Sequence, residues 1–498
     1  MPKRFVKNII FLLFLNLLVK PFWFLGIDRE VQNMLGDNMY GIYNAIYTFS
    51  YLFYILLDLG ITNFNSRNIA QDNEKLSHHF VGITQAKFFL SLLYTLVIFC
   101  IGYAVGFRDG LQLRLLFWCG FNQILLSFIL YLRSNIQGLL LFKTDSILSV
   151  LDRLIAIVIM STLLWSGLFP KENFSIFWFL KSQTIAYLIT ISVALIAVFK
   201  HIDKSKISLK INFTFCLDIL RQSLPFALLV LLMSFYSRLE PFLLERLLDD
   251  GGTQSGIYSR AYRLFDAGNN ISNLFAIMLL PMFASMIKNK EDVNGLVKVS
   301  TNAIIAMAGI VTIMCVFYSH EIMQLMYHPE PGESGVAFQL RIGRYATLFP
   351  ILMGSFFCLS TTYVFGTMLT ANGNLKQLNI IAASGVGLNI ILNLIFIPMF
   401  KSIGAACTSI TVQAITALAQ YFLARHIMKF KLGPGFWMHV IIFAIIVALS
   451  TWLIKMLPFA WYFTFLISIA VNFGLIFLTR LLKLREVVAM FLPKRNDE

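Results

Sequence analysis

Charge is what this chain has least of. Acidic and basic residues make up 13% of its 498 positions, against 58% hydrophobic ones, and the mean hydropathy is +0.76. A water-soluble fold of that length could not cover so much apolar surface, so the composition excludes a soluble enzyme or binding module and indicates a polytopic membrane protein. Cysteine is scarce too. The six residues Cys100, Cys119, Cys216, Cys315, Cys358 and Cys407 are scattered singly, with no C-x-x-C spacing, so neither a disulfide framework nor a thiolate metal centre is expected. The adjacent His78 and His79 have no carboxylate or cysteine at ligand spacing, and no metal is expected. A GxxxxGK[ST] phosphate loop and a GxSxG elbow are both missing, so no catalytic residues and no nucleotide cofactor are expected.

What fills the chain instead is a series of apolar runs of the roughly 20 residues needed to cross a bilayer. They lie near 5–27, 39–62, 80–106, 114–136, 146–169, 174–199, 222–246, 256–287, 297–318, 336–366, 374–397, 402–427, 436–456 and 460–482. The fold class is therefore an all-α polytopic membrane protein of about fourteen spans. No signal-peptidase site follows the first run, which is read as an uncleaved span. The +15 formal charge is concentrated in alternate connections, among them Lys3, Arg4 and Lys7, then Lys200, Lys204, Lys206 and Lys210, and then Arg425, Lys429 and Lys431. The opposite connections hold most of the loop acids, including Asp28, Glu30, Asp37, Asp249, Asp250, Glu330 and Glu333. That asymmetry puts both termini in the cytoplasm of a multi-pass protein of the cell (inner) membrane, and it is not the footprint of a nucleic-acid partner.

The stretch GIYNAIY at 41–47 returns as GIYSRAY at 256–262, with Arg260 where the first copy has Ala45. Laying one on the other aligns span 2 with span 8, six spans apart and hence in the same orientation. This is the pattern of a parallel repeat, in which two bundles face each other about an axis along the membrane normal. The expected organisation is an N-terminal lobe at 1–210 (spans 1–6), a C-terminal lobe at 211–431 (spans 7–12), and an appended 432–498 with spans 13 and 14 and a cytoplasmic tail. The alternative is that Gly-x-Tyr simply recurs at membrane interfaces, where tyrosine is enriched.

Basic side chains inside spans cost roughly 2.5–3.5 kcal/mol each near a helix centre, so each needs a partner or a purpose. Lys20, Arg238, Arg260 and Arg263 are the substrate-binding candidates; Lys181, Arg341 and Arg344 are further basic residues, and Asp58, Glu240, Glu245 and Asp266 are the acids at comparable depth. The interior is net basic, which suits a pyrophosphate and suits an organic cation poorly. Plainer readings stand beside these. Lys20 is close enough to the end of span 1 to snorkel, Arg263 and Asp266 are i, i+3 neighbours that can neutralise each other, Arg341 and Arg344 can anchor at headgroups, and Asp58 suits a helix-packing ion pair. Asn389 and Asn393 share one helix face and suit interhelical hydrogen bonds, while Tyr43, Tyr47, Tyr258 and Tyr262 are placed to line the outer mouth.

Three segments carry a resemblance. GDNMYGIYNAIYTFSYLFYILLDLGITN, GIYSRAYRL and GLNIILNLIFIPMFKSIGAACTSI (387–410) are similar to the polysaccharide and O-antigen flippases of the multidrug/oligosaccharidyl-lipid/polysaccharide exporter superfamily. The resemblance implies two six-helix lobes around a central cavity and movement of undecaprenyl-pyrophosphate-linked oligosaccharide across the inner membrane. It implies as partners the lipid-linked oligosaccharide, membrane lipids and glycan-assembly proteins such as a polysaccharide polymerase, with a monomeric transporter and a coupling ion, Na+ or H+, left open. The sister family that flips lipid II typically carries paired arginines and Phe-Ala-Glu-Gly after its second helix, where this chain reads NFNSRNIAQDNEKL. Multidrug exporters of the same fold tend to use acids in the first helix, where this chain has Lys20. Membrane-embedded glycan polymerases and ligases usually have a substantial outer loop, and the longest here is roughly 319–335.

Overall fold

The computed structural model describes residues 15–16, 18–19, 21–167, 174–202, 228–330 and 332–482, and every regular element among them is helical. The chain falls into two compact units, Met1–Gly256 and Ile257–Glu498.

In the first unit a π-helical turn, Trp23–Asp28, runs into α1 (Arg29–Leu52). A 3-10 turn, Tyr54–Leu57, follows, and then come α2 (Ile61–Gln71), α3 (Lys75–Val105), α4 (Gly110–Gly138), α5 (Phe142–Trp165), α6 (Ile176–Phe199), α7 (Leu228–Arg238) and α8 (Glu240–Leu247). Helix α4 is the hub, packing against α6, α2, α1 and α5. The turn before it is tight because Gly106 adopts φ +105 and Asp109 caps α4, accepting a hydrogen bond from the Gly110 N–H at 3.0 Å. Helix α3 shows how these apolar helices are sorted. Phe80, Ile83, Lys87, Leu90, Tyr94 and Ile98 form a buried stripe at helical spacing, while Phe88, Phe89, Leu92, Leu93 and Leu96 are exposed on the lipid side.

The second unit holds the length of α9 (Gly251–Lys288) from Ile257 onward, then α10 (Asn294–Phe317), α11 (Ser319–Met326), α12 (Gly335–Ala371), α13 (Leu375–Met428), α14 (Pro434–Lys455) and α15 (Trp461–Leu478). Helix α12 packs on α13, α10 and α11. Helices α14 and α15 dock on α10 through Phe443, Val447 and Ile476 against Ile305, Ile310 and Met314. Polar contacts reinforce that seam, with the Asn302 side-chain amide donating to the Leu481 carbonyl at 2.8 Å and Tyr318 and Ser468 sharing a hydrogen bond at 3.3 Å.

Nine helices among the described residues are long and apolar enough to cross a membrane. One of them, α13, contains two passes. At Lys401 the backbone turns to φ 52 and ψ −132, and a Cβ on Gly404 would stand 2.1 Å from the carbonyl oxygen of Phe396. Residues eight apart in a straight helix are separated by about 12 Å, so the chain doubles back there, at the Ile-Pro…Gly-Ala-Ala motif. Together with α1, α7–α8 and α9 at the positions of other expected spans, the molecule is an all-α polytopic membrane fold with room for about fourteen passes.

Two boundaries differ from expectation. The connection expected around 28–38 is helical, with its bend confined to Gly36 at φ 71; the Tyr40 hydroxyl donates to Asp28 at 3.0 Å across that bend. Span 2 does not run to residue 62. Helix α1 stops at Leu52, and the 53–60 segment passes through left-handed Leu59 (φ 44) and Gly60 (φ 83) before α2 begins.

Candidate functional site

In the first unit, cationic side chains lie on aromatic faces. Successive tyrosines Tyr43, Tyr47 and Tyr51 recur every fourth residue of α1, and Tyr54 continues the row on the 3-10 turn. Ring centroids are 6.0 Å apart for Tyr43–Tyr47, 6.3 Å for Tyr47–Tyr51 and 5.7 Å for Tyr51–Tyr54. The Arg238 guanidinium at the end of α7 sits 5.2 Å from the Tyr51 ring centre. Arg153, from α5, lies 5.1 Å over the Trp23 ring and 3.6 Å from the neighbouring Asp152 carboxylate. The Tyr187 side chain hydrogen-bonds with Arg153, Tyr43 lies within electrostatic reach of Arg153, and Tyr47 lies within electrostatic reach of both Arg238 and Arg153. The side chain of Arg153 keeps 25% of its surface open, and Arg238 is half-buried. Two guanidiniums thus border one tyrosine row without being sealed from solvent. A planar guanidinium offers paired N–H donors that match phosphate oxygens, and tyrosine faces offer apolar area with a polar tip.

Arg153 carries no distinguishing sequence signal. It stands seven residues into its apolar run directly after Asp152, so the pair reads as self-neutralising. The structure gives it significance because α5 turns Arg153 toward Trp23 and the tyrosines.

The second unit uses its arginines differently. Arg260 is fully buried, its guanidinium 4.9 Å from the Tyr327 ring and 5.5 Å from the Tyr345 ring, with Glu330 at 3.5 Å. Arg341 reaches the same Glu330 at 3.5 Å and forms a 2.7 Å ion pair with Glu333. It also donates to the His328 carbonyl at 2.9 Å and the Tyr345 hydroxyl at 3.1 Å. The Tyr327 hydroxyl donates to the Arg260 carbonyl at 2.9 Å. Together these contacts fasten the 327–334 connection onto α9 and α12, with Ser334 capping α12 at 3.2 Å. Hydrogen bonding from Arg341 holds the Glu333 carboxyl below the usual carboxylate range. Arg263 is 3.9 Å from Asp266.

Of the residues expected to bind substrate, Arg238 thus lies in the first unit's aromatic-cationic cluster, and Arg260 and Arg263 in the second unit; Lys20 lies outside the described residues. Lys181 is exposed, 5.9 Å from the Trp118 ring, and Arg344 is exposed. Asp58 makes the ion pair its sequence context suggested, with Lys87 at 2.7 Å. Asn393 donates to Asn389 within one helix at 2.9 Å.

A family model described as "Polysaccharide biosynthesis protein" matches residues 5–287, more than half of the chain. The chain belongs to this family. Its relatives include an uncharacterized membrane protein of Methanocaldococcus jannaschii, 25% identical over 411 residues that cover 79% of this chain and 93% of that one. Among solved structures, the lipid II flippase MurJ in an inward closed conformation has a TM-score of 0.68 at 15% identity, covering 95% of this chain and 99% of its own. An inward-facing multidrug resistance MATE transporter of the MOP superfamily has a TM-score of 0.59 at 14% identity, covering 81% of this chain and 98% of its own. At those identities the two structures show a shared fold. This polysaccharide biosynthesis protein therefore shares its fold with a flippase and with a transporter of the MOP superfamily.

Proposed function

We propose that this protein moves an undecaprenyl-pyrophosphate-linked oligosaccharide, the repeat unit of an O-antigen, capsule or exopolysaccharide, from the cytoplasmic to the outer leaflet of the inner membrane by alternating access. The observation that carries the reading is the first unit's pair of part-open guanidiniums, Arg153 and Arg238, bordering the Tyr47–Tyr51 row in a chain of the polysaccharide biosynthesis family. In this role Arg153 and Arg238 hold the pyrophosphate by charge-assisted hydrogen bonds, and the tyrosines face the sugars. Lys20 and Arg263 are proposed as further basic contacts along the route, while Arg260 steadies the 327–334 connection. No covalent step is required; the protein is a transporter with both termini cytoplasmic, acting as a monomer and handing product to glycan-assembly partners. Residues 1–210 and 211–431 form the two moving lobes, with 432–498 appended. A coupling ion, Na+ or H+, is compatible with the reading.

Lipid II is the second reading, supported by a likeness to MurJ that covers 95% of the chain. Vesicles containing the purified protein and either fluorescent lipid-linked oligosaccharide or fluorescent lipid II separate the two. Faster flipping of the first lipid, reduced about tenfold or more by Arg153→Ala and by Arg238→Ala, is expected, since each loses a charge-assisted contact of about 1.5–3 kcal/mol. Movement of lipid II alone would replace the reading with the second one. Movement of neither, or of both in variants lacking the two arginines, would remove it.

A further inference from the structure

The break between α1 and α2 is held shut by one buried lysine. Lys87, on the inward stripe of α3, is 1% exposed. Its ammonium has three N–H donors, and each has an acceptor: the Leu57 carbonyl at 2.9 Å, the Asp58 carboxylate at 2.7 Å and the Ser127 hydroxyl at 2.8 Å. The ligands are themselves fixed. Ser127, from α4, also donates to the Leu57 carbonyl at 3.1 Å, and Asp58 accepts from the Thr62 backbone N–H at 3.3 Å and from the Thr62 hydroxyl.

This donor set is that of a small cation's site. One carboxylate, one hydroxyl and one carbonyl freed by unwound backbone converge on a single point, at the carboxyl-terminal end of a helix where the backbone dipole favours positive charge. The carbonyl is free because the chain leaves helical geometry after Leu57, and Leu59 and Gly60 at φ 44 and 83 prevent an ordinary helical partner from reaching it. We infer that the Leu57–Asp58–Ser127 cradle is a monovalent-cation site that the chain fills with its own tethered ammonium. A free Na+ or K+ takes the same oxygens once the side chain is shortened. Because the ammonium is covalently attached, the wild-type elbow stays closed whatever the ionic conditions around it. The inference is independent of the transported substrate.

Thermal unfolding of the purified full-length protein in detergent tests it, in NaCl, KCl or choline chloride at equal ionic strength. The wild type should unfold at one temperature in all three salts. Lys87→Met should unfold earlier in choline, and added NaCl or KCl should raise its midpoint saturably by about 5 °C, as a site-bound ligand does. Lys87→Met/Asp58→Asn, with no carboxylate to neutralise, should be indifferent to the cation. A single variant that ignores Na+ and K+, or a double variant that responds as the single one does, overturns the inference. Should the single variant be recovered folded only with Na+ or K+ present, the lone carboxylate's need for a cation is established; should only the double variant fold whatever the salt, no free cation replaces the ammonium and the inference fails. If neither folds in any salt, the lysine stem rather than its charge fills the cradle, and the inference fails.

Discussion

Arg260 and Arg153 are both arginines inside apolar helices beside aromatic rings, yet their surroundings assign them opposite tasks. Arg260 has no exposed surface and shares Glu330 with Arg341, so its charge is used to fasten a connection. Replacing it with alanine removes both ring contacts and an ion pair, and should destabilise the second unit by about 3 kcal/mol; the earlier thermal unfolding would be accompanied by protease cleavage in the 327–334 segment. Unchanged unfolding would show that the buried guanidinium contributes nothing net. Glu333 makes the same network sensitive to pH. Its carboxyl titrates lower in the folded chain, chiefly because Arg341 hydrogen-bonds the ionised form. Its stabilisation is therefore fully present above the ordinary carboxylate value of about 4.3 and is lost as pH falls through the lowered folded value. Between pH 6 and roughly pH 3, unfolding midpoints should fall more steeply for the wild type than for Glu333→Gln. Parallel curves would show that other carboxylates control the acid limb.

At the scale of elements, the recurring Gly-Ile-Tyr has a steric reason. A Cβ on Gly41 would stand 1.8 Å from the Gly252 carbonyl oxygen, and one on Gly256 would stand 2.0 Å from the Asp37 carbonyl oxygen. The first turns of α9 therefore cross α1 backbone to backbone, and the Ser255 hydroxyl donates to the Gly41 carbonyl at 3.1 Å. Small residues spaced Gly-x-x-x-Gly, here Gly252 and Gly256, permit this approach in apolar surroundings. Gly41→Ala should separate the helices and cost about 3 kcal/mol or more, since backbone cannot rotate out of the way as a side chain can. Gly387→Ala, where an added Cβ meets nothing within 4 Å, should instead be neutral or stabilise α13 by up to about 1 kcal/mol; similar loss of folded protein in both would remove the steric explanation. The sequence made the motif visible but not the crossing, because a short repeat says that two segments are alike and not that they touch. Span positions were legible because a bilayer requires long apolar runs, and α3, α4, α6, α10 and α14 lie close to where hydropathy put them. The 53–60 break was not, since Tyr54–Leu57 is as apolar as the helix around it. Arg238 stood out as a charge near the middle of a span. Lys87 carries no distinguishing signal within its apolar run, and only the three-dimensional arrangement brings Leu57, Asp58 and Ser127 to its ammonium.

For the molecule as a whole, charge decides what can drive transport. Most of the +15 formal charge belongs to loops and tails, and charges that keep their depth in the membrane during a transport cycle do no electrical work. Under the proposed function it is the cargo's charge that changes depth. A pyrophosphate diester carries about two negative charges, and moving one charge across 100 mV is worth about 2.3 kcal/mol, so outward passage gains roughly 4.6 kcal/mol when the outside is positive. That corresponds to a bias of about a thousandfold between the leaflets. Basic side chains that the anion meets, such as Arg153 and Arg238 in the proposed role, act on the depth of its well and not on the overall gain, because a bound and released anion experiences them only in passing. Under the proposed function, an imposed potassium-diffusion potential should therefore be enough to accumulate labelled lipid-linked oligosaccharide in the leaflet facing the positive side. Reversing the potential should reverse the accumulation, with no sodium or proton gradient present. Arg238→Ala should slow the approach to that distribution without altering its final ratio, since a bound site changes rates and the potential sets the end point. Accumulation that ignores the potential and follows a sodium or proton gradient at zero potential would instead assign the driving force to ion exchange.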